Sequence, residues 1–325
     1  VICAAFVLVS HGMLSAQSPA PRCDRACLDG WLERYMDAFV AHAPSRLTLA
    51  RGVKFTENGQ RLEPGDGTWR TVTGKGGYAL KITDVEKGQA VLMGTIREAD
   101  VPTIFVLRLG ITGQQIAEIE TLVMRNQTAA ENLDRVARPR TAWYEAVPAA
   151  SRLPRAGLVK IANMYFSGIE RNDGKGVYPI SKNCARLENG SVTAGDPALV
   201  LGDAAGAAGR GGARTGCLQQ FQSGVFFYVT RIRDRRFVAV DPERGLAFAF
   251  AFFDNASGDT RNGTLADGRK VVSGPSVPWT WQIAEVFKIE NGEIGPVESV
   301  LHQVPYGMGS GWSSWEEAMS STPRW

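Results

Sequence analysis

A chain of 325 residues with 44% hydrophobic and 21% charged side chains is long enough for two ordinary domains and apolar enough to give each a core. Its formal charge of +3 is spread over interspersed signs, with no basic block to neutralise a phosphate backbone, which sets nucleic-acid binding aside. It has no Gly-x-Ser-x-Gly elbow, no Walker loop and no dinucleotide fingerprint, so those hydrolase and nucleotide-binding classes lack support.

Residues 1–16, VICAAFVLVSHGMLSA, form an apolar run closing on Leu14-Ser15-Ala16, with a polar Gln17-Ser18-Pro19 behind it. This reads as the core and cleavage site of a signal peptide whose start is truncated, since neither an initiator Met nor a basic leader precedes it. An N-terminal anchor is the alternative, but roughly nine uninterrupted apolar residues are short for a bilayer. The expected mature protein is secreted or periplasmic, with no membrane contact after cleavage.

Export agrees with the cysteines. Cys23, Cys27, Cys184 and Cys217 remain after cleavage, an even set for an oxidising compartment. A bridge from Cys184 to Cys217 would close a loose Gly/Ala segment, where a crosslink restricts the unfolded chain most, leaving Cys23 and Cys27 to pair at the mouth of the first helix. Zinc is the competing use, but His42 and His302 lack ligand spacing to these cysteines, and no metal or cofactor is expected. Four Asn-x-Ser/Thr sequons, at Asn126, Asn189, Asn255 and Asn262, suit a eukaryotic secretory route, while the Ala/Gly/Arg-rich composition suits a bacterial periplasm equally.

Along the chain, Leu28, Trp31, Leu32, Tyr35, Met36 and Phe39 predict an amphipathic helix stopping near Pro44. Alternating apolar runs at 53–58, 90–97, 103–110 and 118–125 predict antiparallel strands with one buried face. A proline-rich connector at 128–155 carries Trp143 and Tyr144 and is expected to pack. The pattern then starts again: Leu158, Ile161, Ala162, Tyr165, Phe166 and Ile169 predict a second helix ending near Asp173-Gly174, followed by strands at 224–232, 246–254, 279–290 and 296–303. Two segments of loop composition, 194–216 and 255–276, enlarge this second half, and loops at a sheet rim often cover a binding site.

The two halves echo one another in order. ITGQQIAEIETLVMR at 111–125 matches IENGEIGPVESVLHQ at 289–303, with Glu120 and Glu298 in the same place. Glu57-Asn58-Gly59 matches Glu188-Asn189-Gly190, and Asp84-Val85-Glu86-Lys87-Gly88 matches Asp241-Pro242-Glu243-Arg244-Gly245. With the paired helices, this predicts a tandem duplication: signal peptide 1–16, first domain 22–127, connector 128–155, second domain 156–304 and tail 305–325.

A long amphipathic helix followed by a curved antiparallel sheet, whose last strand carries Gly, Ile and the repeated Glu, resembles the NTF2-like, or SnoaL-like, α+β cone fold. CDRACLDGWLERYMDAFVAHAPSRL, KFTENGQRL and GDGTW are similar to a secreted subgroup of that superfamily of uncharacterised function. The resemblance covers most of the first copy, and the second is a more divergent match. It implies a pocket between the helix and the concave sheet face. Superfamily members include ketosteroid isomerase, scytalone dehydratase, limonene epoxide hydrolase and polyketide cyclases, besides proteins that only bind ligands or subunits. Such domains often pair through their sheets, so two copies in one chain are expected to form an internal pseudo-dimer, with a homodimer as a further arrangement.

Acid-base chemistry in such a cone needs a few polar groups in an apolar pocket. The candidates are His302 and His42 as proton carriers, Glu298 as the carboxylate orienting one of them, and Tyr165 donating to an oxyanion. His42 has Asn172 at the matching position, and His302 has Met124. Tyr35, Trp279, Trp281, Tyr306, Trp312 and Asp254 are the candidate ligand contacts, with the loop from Val304 to Trp312 folding over the mouth. Tyr35 and Tyr165 also suit simple packing, and Glu57 and Glu188 read as exposed turn formers. Arg231, Arg233, Arg235 and Arg236 with Asp234 read as a solvated strand edge that discourages sheet aggregation. Aromatics concentrate in the second half, and the alternating Phe248, Phe250, Phe252 and Phe253 read as core. The expected function is a cofactor-independent lyase, isomerase or hydrolase acting on a small hydrophobic or aromatic molecule. The alternative is a non-catalytic ligand-binding or assembly protein.

Overall fold

The computed structural model describes residues 23–201 and 215–325. The expected signal peptide lies outside them, as does part of the first insertion. The first domain opens with helix α1 (Arg25–Val40), capped by the Asp24 side chain accepting from the Cys27 amide, and burying Leu28, Trp31, Leu32, Tyr35, Met36 and Phe39. Six strands follow: β1 (Leu49–Glu57), β2 (Gln60–Leu62), β3 (Val72–Asp84), β4 (Gln89–Glu98), β5 (Val101–Thr112) and β6 (Gln115–Met124), in the order β2-β1-β6-β5-β4-β3.

Helix α2 (Gln127–Val136) lies in the connector. The second domain repeats the plan with α3 (Arg155–Arg171), β7 (Arg186–Glu188), β8 (Ser191–Ala194), the short α4 (Ala198–Leu201) and α5 (Cys217–Ser223), then β9 (Arg231–Asp241) and β10 (Leu246–Asn255). A small hairpin, β11 (Asn262–Thr264) and β12 (Lys270–Val272), interrupts the sheet before β13 (Trp279–Glu290), β14 (Glu293–Val304) and a terminal turn of helix, α6 (Trp315–Ala318). The strand order, β8-β7-β14-β13-β10-β9, is that of the first sheet.

The sheets are mixed rather than wholly antiparallel. β3 to β6 and β9, β10, β13 and β14 run antiparallel, but β1 lies parallel to β6 and β7 parallel to β14, because the first strand of each domain joins the last on one side while pairing with its neighbour in sequence on the other. An asparagine pins each parallel pair. In the first domain Asn58 Nδ2 donates to the Val123 carbonyl at 3.0 Å and Oδ1 accepts from the Val123 amide at 2.7 Å; Asn189 does the same with Leu301 at 3.1 and 2.9 Å.

Strand parity then builds three cores. On β5, Phe105, Leu107 and Leu109 face α1, while Ile104 and Val106 face away. The faces turned away from the helices pack against each other: Leu80, Ile82, Met93, Val106 and Leu122 of the first sheet share one core with Phe248, Phe250, Ala284, Val286 and Val300 of the second. The α2 residues Ala129, Ala130, Leu133 and Val136 and the connector's Trp143 complete it.

Reciprocal contacts tie the halves with approximate twofold symmetry. Arg25, opening α1, pairs with Asp241 at 2.6 Å, and Arg155, opening α3, pairs with Asp84 at 2.5 Å. The Glu-Asn-Gly turns are docking points, not exposed turn formers: Gly59 abuts Met308 and Gly309 of the tail, and Gly190 abuts α2. A Cβ on Gly190, where φ is +73°, would stand 2.6 Å from the Leu133 amide nitrogen and 2.7 Å from the Ala129 carbonyl oxygen. Both obstacles are backbone. Gly190→Ala is therefore expected to cost about 2–3 kcal/mol in urea denaturation, and a cost below about 0.5 kcal/mol would show that α2 does not hold the turn.

The margin of β9 is buried, which corrects the expected solvated edge. Arg233, Asp234, Arg235 and Arg236 are each at most 6% exposed. The tail covers the strand: Asp234 N donates to Ser320 O at 2.9 Å, Phe237 N to Arg324 O at 2.7 Å, and Arg324 N to Arg235 O at 2.9 Å. Covering an edge in this way removes its open ladder of backbone groups. Disulfides join Cys23 to Cys27 and Cys184 to Cys217. No described helix is long and apolar enough to cross a membrane.

Candidate functional site

The helix-facing sides of the two sheets have different fates. In the first domain the space under α1 is filled by Trp69, which is 1% exposed, donates from Nε1 to Tyr35 Oη at 3.1 Å, and stacks edge-on against Tyr35 and Phe39. In the second domain the same space holds a cavity of about 300 Å³ between α3, α5 and the sheet. Its walls are Ile169, Val229, Phe226, Tyr228, Phe253, Trp281, Ile283 and Leu301, and its polar members are Tyr165, Arg186, Glu188, Thr193, Gln220, Glu285 and Ser299.

Pairing register identifies what changed between the copies. Glu120 and Glu298 are equivalent by the repeated motif. One residue beyond each glutamate, Thr121 pairs with Leu107 and Ser299 with Glu285. One residue before, Ile119 pairs with Phe55 and Val297 with Arg186. The first domain thus has a phenylalanine and a leucine where the second has an arginine and a glutamate. Both ionisable residues are at most 4% exposed.

Arg186 is held from all sides. Its Nε donates to Thr193 Oγ1 and lies 2.9 Å from Glu188 Oε1, Nη1 donates to Tyr165 Oη at 2.8 Å, and Nη2 donates to Gln220 Oε1 at 2.7 Å. Gln220 is fixed in turn by donating to the Thr193 carbonyl. The Cys184 to Cys217 bridge anchors the start of α5 two residues from Arg186. Burial raises the Tyr165 hydroxyl pKa far above its usual range despite the nearby guanidinium, so the phenol stays protonated.

Glu285 has no such support. Its Oε2 and the Ser299 Oγ are buried without a hydrogen-bond partner among the described residues. Burial, with the charge of Glu188 added and with Arg186 and the nearby Ser299 hydroxyl opposing, pushes its pKa up to about 8. A carboxylic acid that keeps its proton at neutral pH, in a partly enclosed apolar cavity, is able to give that proton to a bound molecule and take one back.

Of the expected site residues, Tyr165 and Trp281 line this cavity. Trp279 packs edge-on against Trp281 with centroids 4.4 Å apart, outside the lining. Tyr35 belongs to the first domain's core. His42 is exposed at the end of α1, with Nδ1 2.5 Å from the Trp69 carbonyl oxygen, over a separate surface depression. Leu301 and Ser299 turn toward the cavity, so Glu298 and His302, of opposite parity, turn toward the other sheet. Glu298 is 4% exposed and accepts from Tyr78 Oη of the first domain at 2.7 Å; burial lifts its pKa to about 7. Burial, then the charge of Arg125, lowers that of His302. Neither one lines the cavity.

Asp254 is fully buried and accepts from Arg231, Arg233 and Thr280 at 2.7–2.8 Å, a structural ion cluster on the face away from the pocket. The tail crosses to the first domain instead of folding over the mouth. There Trp312 Nε1 donates to Thr56 Oγ1 at 2.8 Å, and Lys54 and Arg108 lie over its ring at 4.2 and 4.5 Å, while Tyr306 is exposed. Sequence reading missed Arg186, Gln220, Glu285 and Ser299. The available signal was Glu285 itself, a charge at the parity of Ile283 and Phe287 in an otherwise apolar strand face.

A family model described as a domain of unknown function, DUF8021, matches residues 151–301, which spans most of the second domain and its cavity. No curated protein matches the chain. Among solved structures, a de novo designed protein with a curved β-sheet aligns with a TM-score of 0.27 and 12% identity over 34% of this chain and 96% of that one. A protein of Kribbella flavida DSM 17836, described as of known function, aligns with a TM-score of 0.25 and 14% identity over 30% of this chain and 88% of that one.

Proposed function

We propose that the chain is an exported protein of two tandem NTF2-like cone domains and acts as a cofactor-independent acid-base enzyme, a lyase, isomerase or hydrolase, on a small hydrophobic or aromatic molecule held in the second domain. The observation that carries this reading is the replacement of the apolar pair Phe55 and Leu107 by Arg186 and Glu285 around a cavity. Duplication leaves one copy free to diverge, and a buried ionisable pair costs stability that simple packing does not require. Glu285 is the proton carrier in this reading, a role first given to the histidines. Tyr165, oriented by Arg186, donates to negative charge developing on the substrate. The first domain, its cone plugged by Trp69, serves as the packing partner. The two disulfides support an oxidising destination.

The test is native mass spectrometry of the purified mature protein to find a bound molecule, followed by turnover of that molecule. Glu285→Gln is expected to lower kcat by about a hundredfold or more with folding intact, while His42→Ala and His302→Ala retain activity. A molecule that binds and leaves unchanged in every variant would make the protein a carrier. Loss of turnover in His302→Ala but not Glu285→Gln would remove Glu285 from the chemistry.

A further inference from the structure

The polar groups of the second-domain cavity divide into those already engaged and those still open. A buried arginine ordinarily invites an anionic ligand, because its planar fork matches a carboxylate. Here each nitrogen of Arg186 already has an acceptor, namely Thr193 and Glu188 on Nε, Tyr165 on Nη1 and Gln220 on Nη2, and Glu188 supplies the countercharge. The open groups are elsewhere. Glu285 and Ser299 are paired across the β13–β14 ladder, both on the cavity lining, and among the described residues the buried Glu285 Oε2 and Ser299 Oγ have no hydrogen-bond partner at bonding distance.

Resting on the reading of this cavity as the small-molecule site, we infer that its ligand is an uncharged, flat, largely apolar molecule bearing a carbonyl oxygen, which accepts hydrogen bonds from Glu285 and Ser299, and that carboxylates are selected against. Two buried groups without partners are costly until something bonds to them, so they define the end of the cavity where the ligand's one polar atom belongs. The remaining wall, with Phe226, Phe253, Tyr228 and Trp281, offers ring faces and edges to a planar body. Burial and the neighbouring Glu188 keep the proton on Glu285 at neutral pH, with Arg186 and the Ser299 hydroxyl opposing; Tyr165 on α3 and Tyr228 ahead of β9 are the other titratable groups among the described lining residues, and burial holds both of these in the neutral phenol form. Glu285 is therefore a donor. A ligand carboxylate would lose its hydration and meet Glu188 with no free cation among the described lining residues to take it.

The experiment uses three probes with the same bicyclic body: 2-acetylnaphthalene, 2-naphthoate and 2-ethylnaphthalene, titrated calorimetrically into the full chain. At pH 6 the ketone is expected to bind about tenfold more tightly than either of the others. Its affinity should fall about fivefold or more by pH 9.5, as Glu285 loses the proton it donates. Glu285→Gln, which keeps an N–H donor, should hold ketone affinity within about threefold and flatten the pH dependence. Glu285→Leu should weaken the ketone about tenfold and leave 2-ethylnaphthalene unchanged. Naphthoate binding as tightly as the ketone, or a ketone indifferent to Glu285→Leu, would overturn the inference while leaving the cavity as the ligand site. Failure of all three probes on protein that is folded by circular dichroism would overturn both.

Discussion

Glu120→Ala is expected to destabilise the protein by about 3–5 kcal/mol, the cost of leaving a buried charge without its partner. Glu120 is 2% exposed and sits between the two domains, accepting from Arg236 Nη2 at 2.6 Å and Nη1 at 3.1 Å, and from Arg108 Nε at 3.0 Å. Arg108 would keep Glu118 at 2.6 Å and Gln89 at 2.9 Å. Arg236 would keep Asp234, 3.6 Å from its Nε and beyond hydrogen-bond distance, and the Phe250 ring at 5.3 Å. The guanidinium, not the missing carboxylate, therefore sets the size of the loss. Removing both charges should recover most of it: Glu120→Leu with Arg236→Met is expected within about 1–2 kcal/mol of the parent, because apolar residues of similar volume replace a buried pair at little cost. Urea denaturation of the parent, Glu120→Leu, Arg236→Met and the double variant closes the cycle, with Glu120→Ala measured beside them. A loss below about 1 kcal/mol for Glu120→Ala would mean that water reaches Arg236 and that the sheets do not enclose it.

That glutamate also marks how far the sequence could be read. The repeat was legible, because Glu120 and Glu298 recur at the same strand position, and so were both helices and most of the long strands, but the strand expected at 224–232 is turn and coil as far as Thr230, and β9 runs over Arg231–Asp241 instead. β3 went unread because Gly74, Gly76 and Gly77 break its alternation, and α2 because its four buried side chains face sheets contributed by distant parts of the chain. Parity on the last strand was legible too, since Glu298 and His302, four residues apart, share one face of it. Which face lay under the helix was not, because that depends on where the other sheet packs. The cavity followed the same limit. Tyr165 and Trp281 were readable from their periodicity, but Glu285 became meaningful only once register aligned it with Leu107. Long-range partners gave each repeated residue a different role: Glu120 meets Arg236 and Glu298 meets Tyr78, and no local pattern encodes that difference.

The difference has a measurable consequence, since stability should fall by on the order of 5 kcal/mol between pH 5 and pH 9. Glu285 and Glu298 have folded pKa values of about 8 and about 7, raised in each case chiefly by burial. In the unfolded chain both should titrate near 4.3. Between those limits the folded state holds more protons than the unfolded state, so raising the pH favours unfolding by about 1.4 kcal/mol per unit for each group. The contribution is fully present below pH 4 and is lost as the pH passes through 7 and then 8. His302 acts in the opposite direction, because its folded pKa is lowered, and it offsets part of the slope around pH 6. Carboxylates held down by cationic partners, such as Asp254 beside Arg233, add a separate acid limb at lower pH. Glu285→Gln combined with Glu298→Gln should therefore flatten the limb from pH 5 to pH 9, with each single variant removing its own part near pH 8 or pH 7. Urea midpoints measured at half-unit intervals test this. If the double variant kept the parent slope, neither carboxyl would be retaining its proton in the folded protein, and Glu285 would lose the property on which its role in the cavity depends.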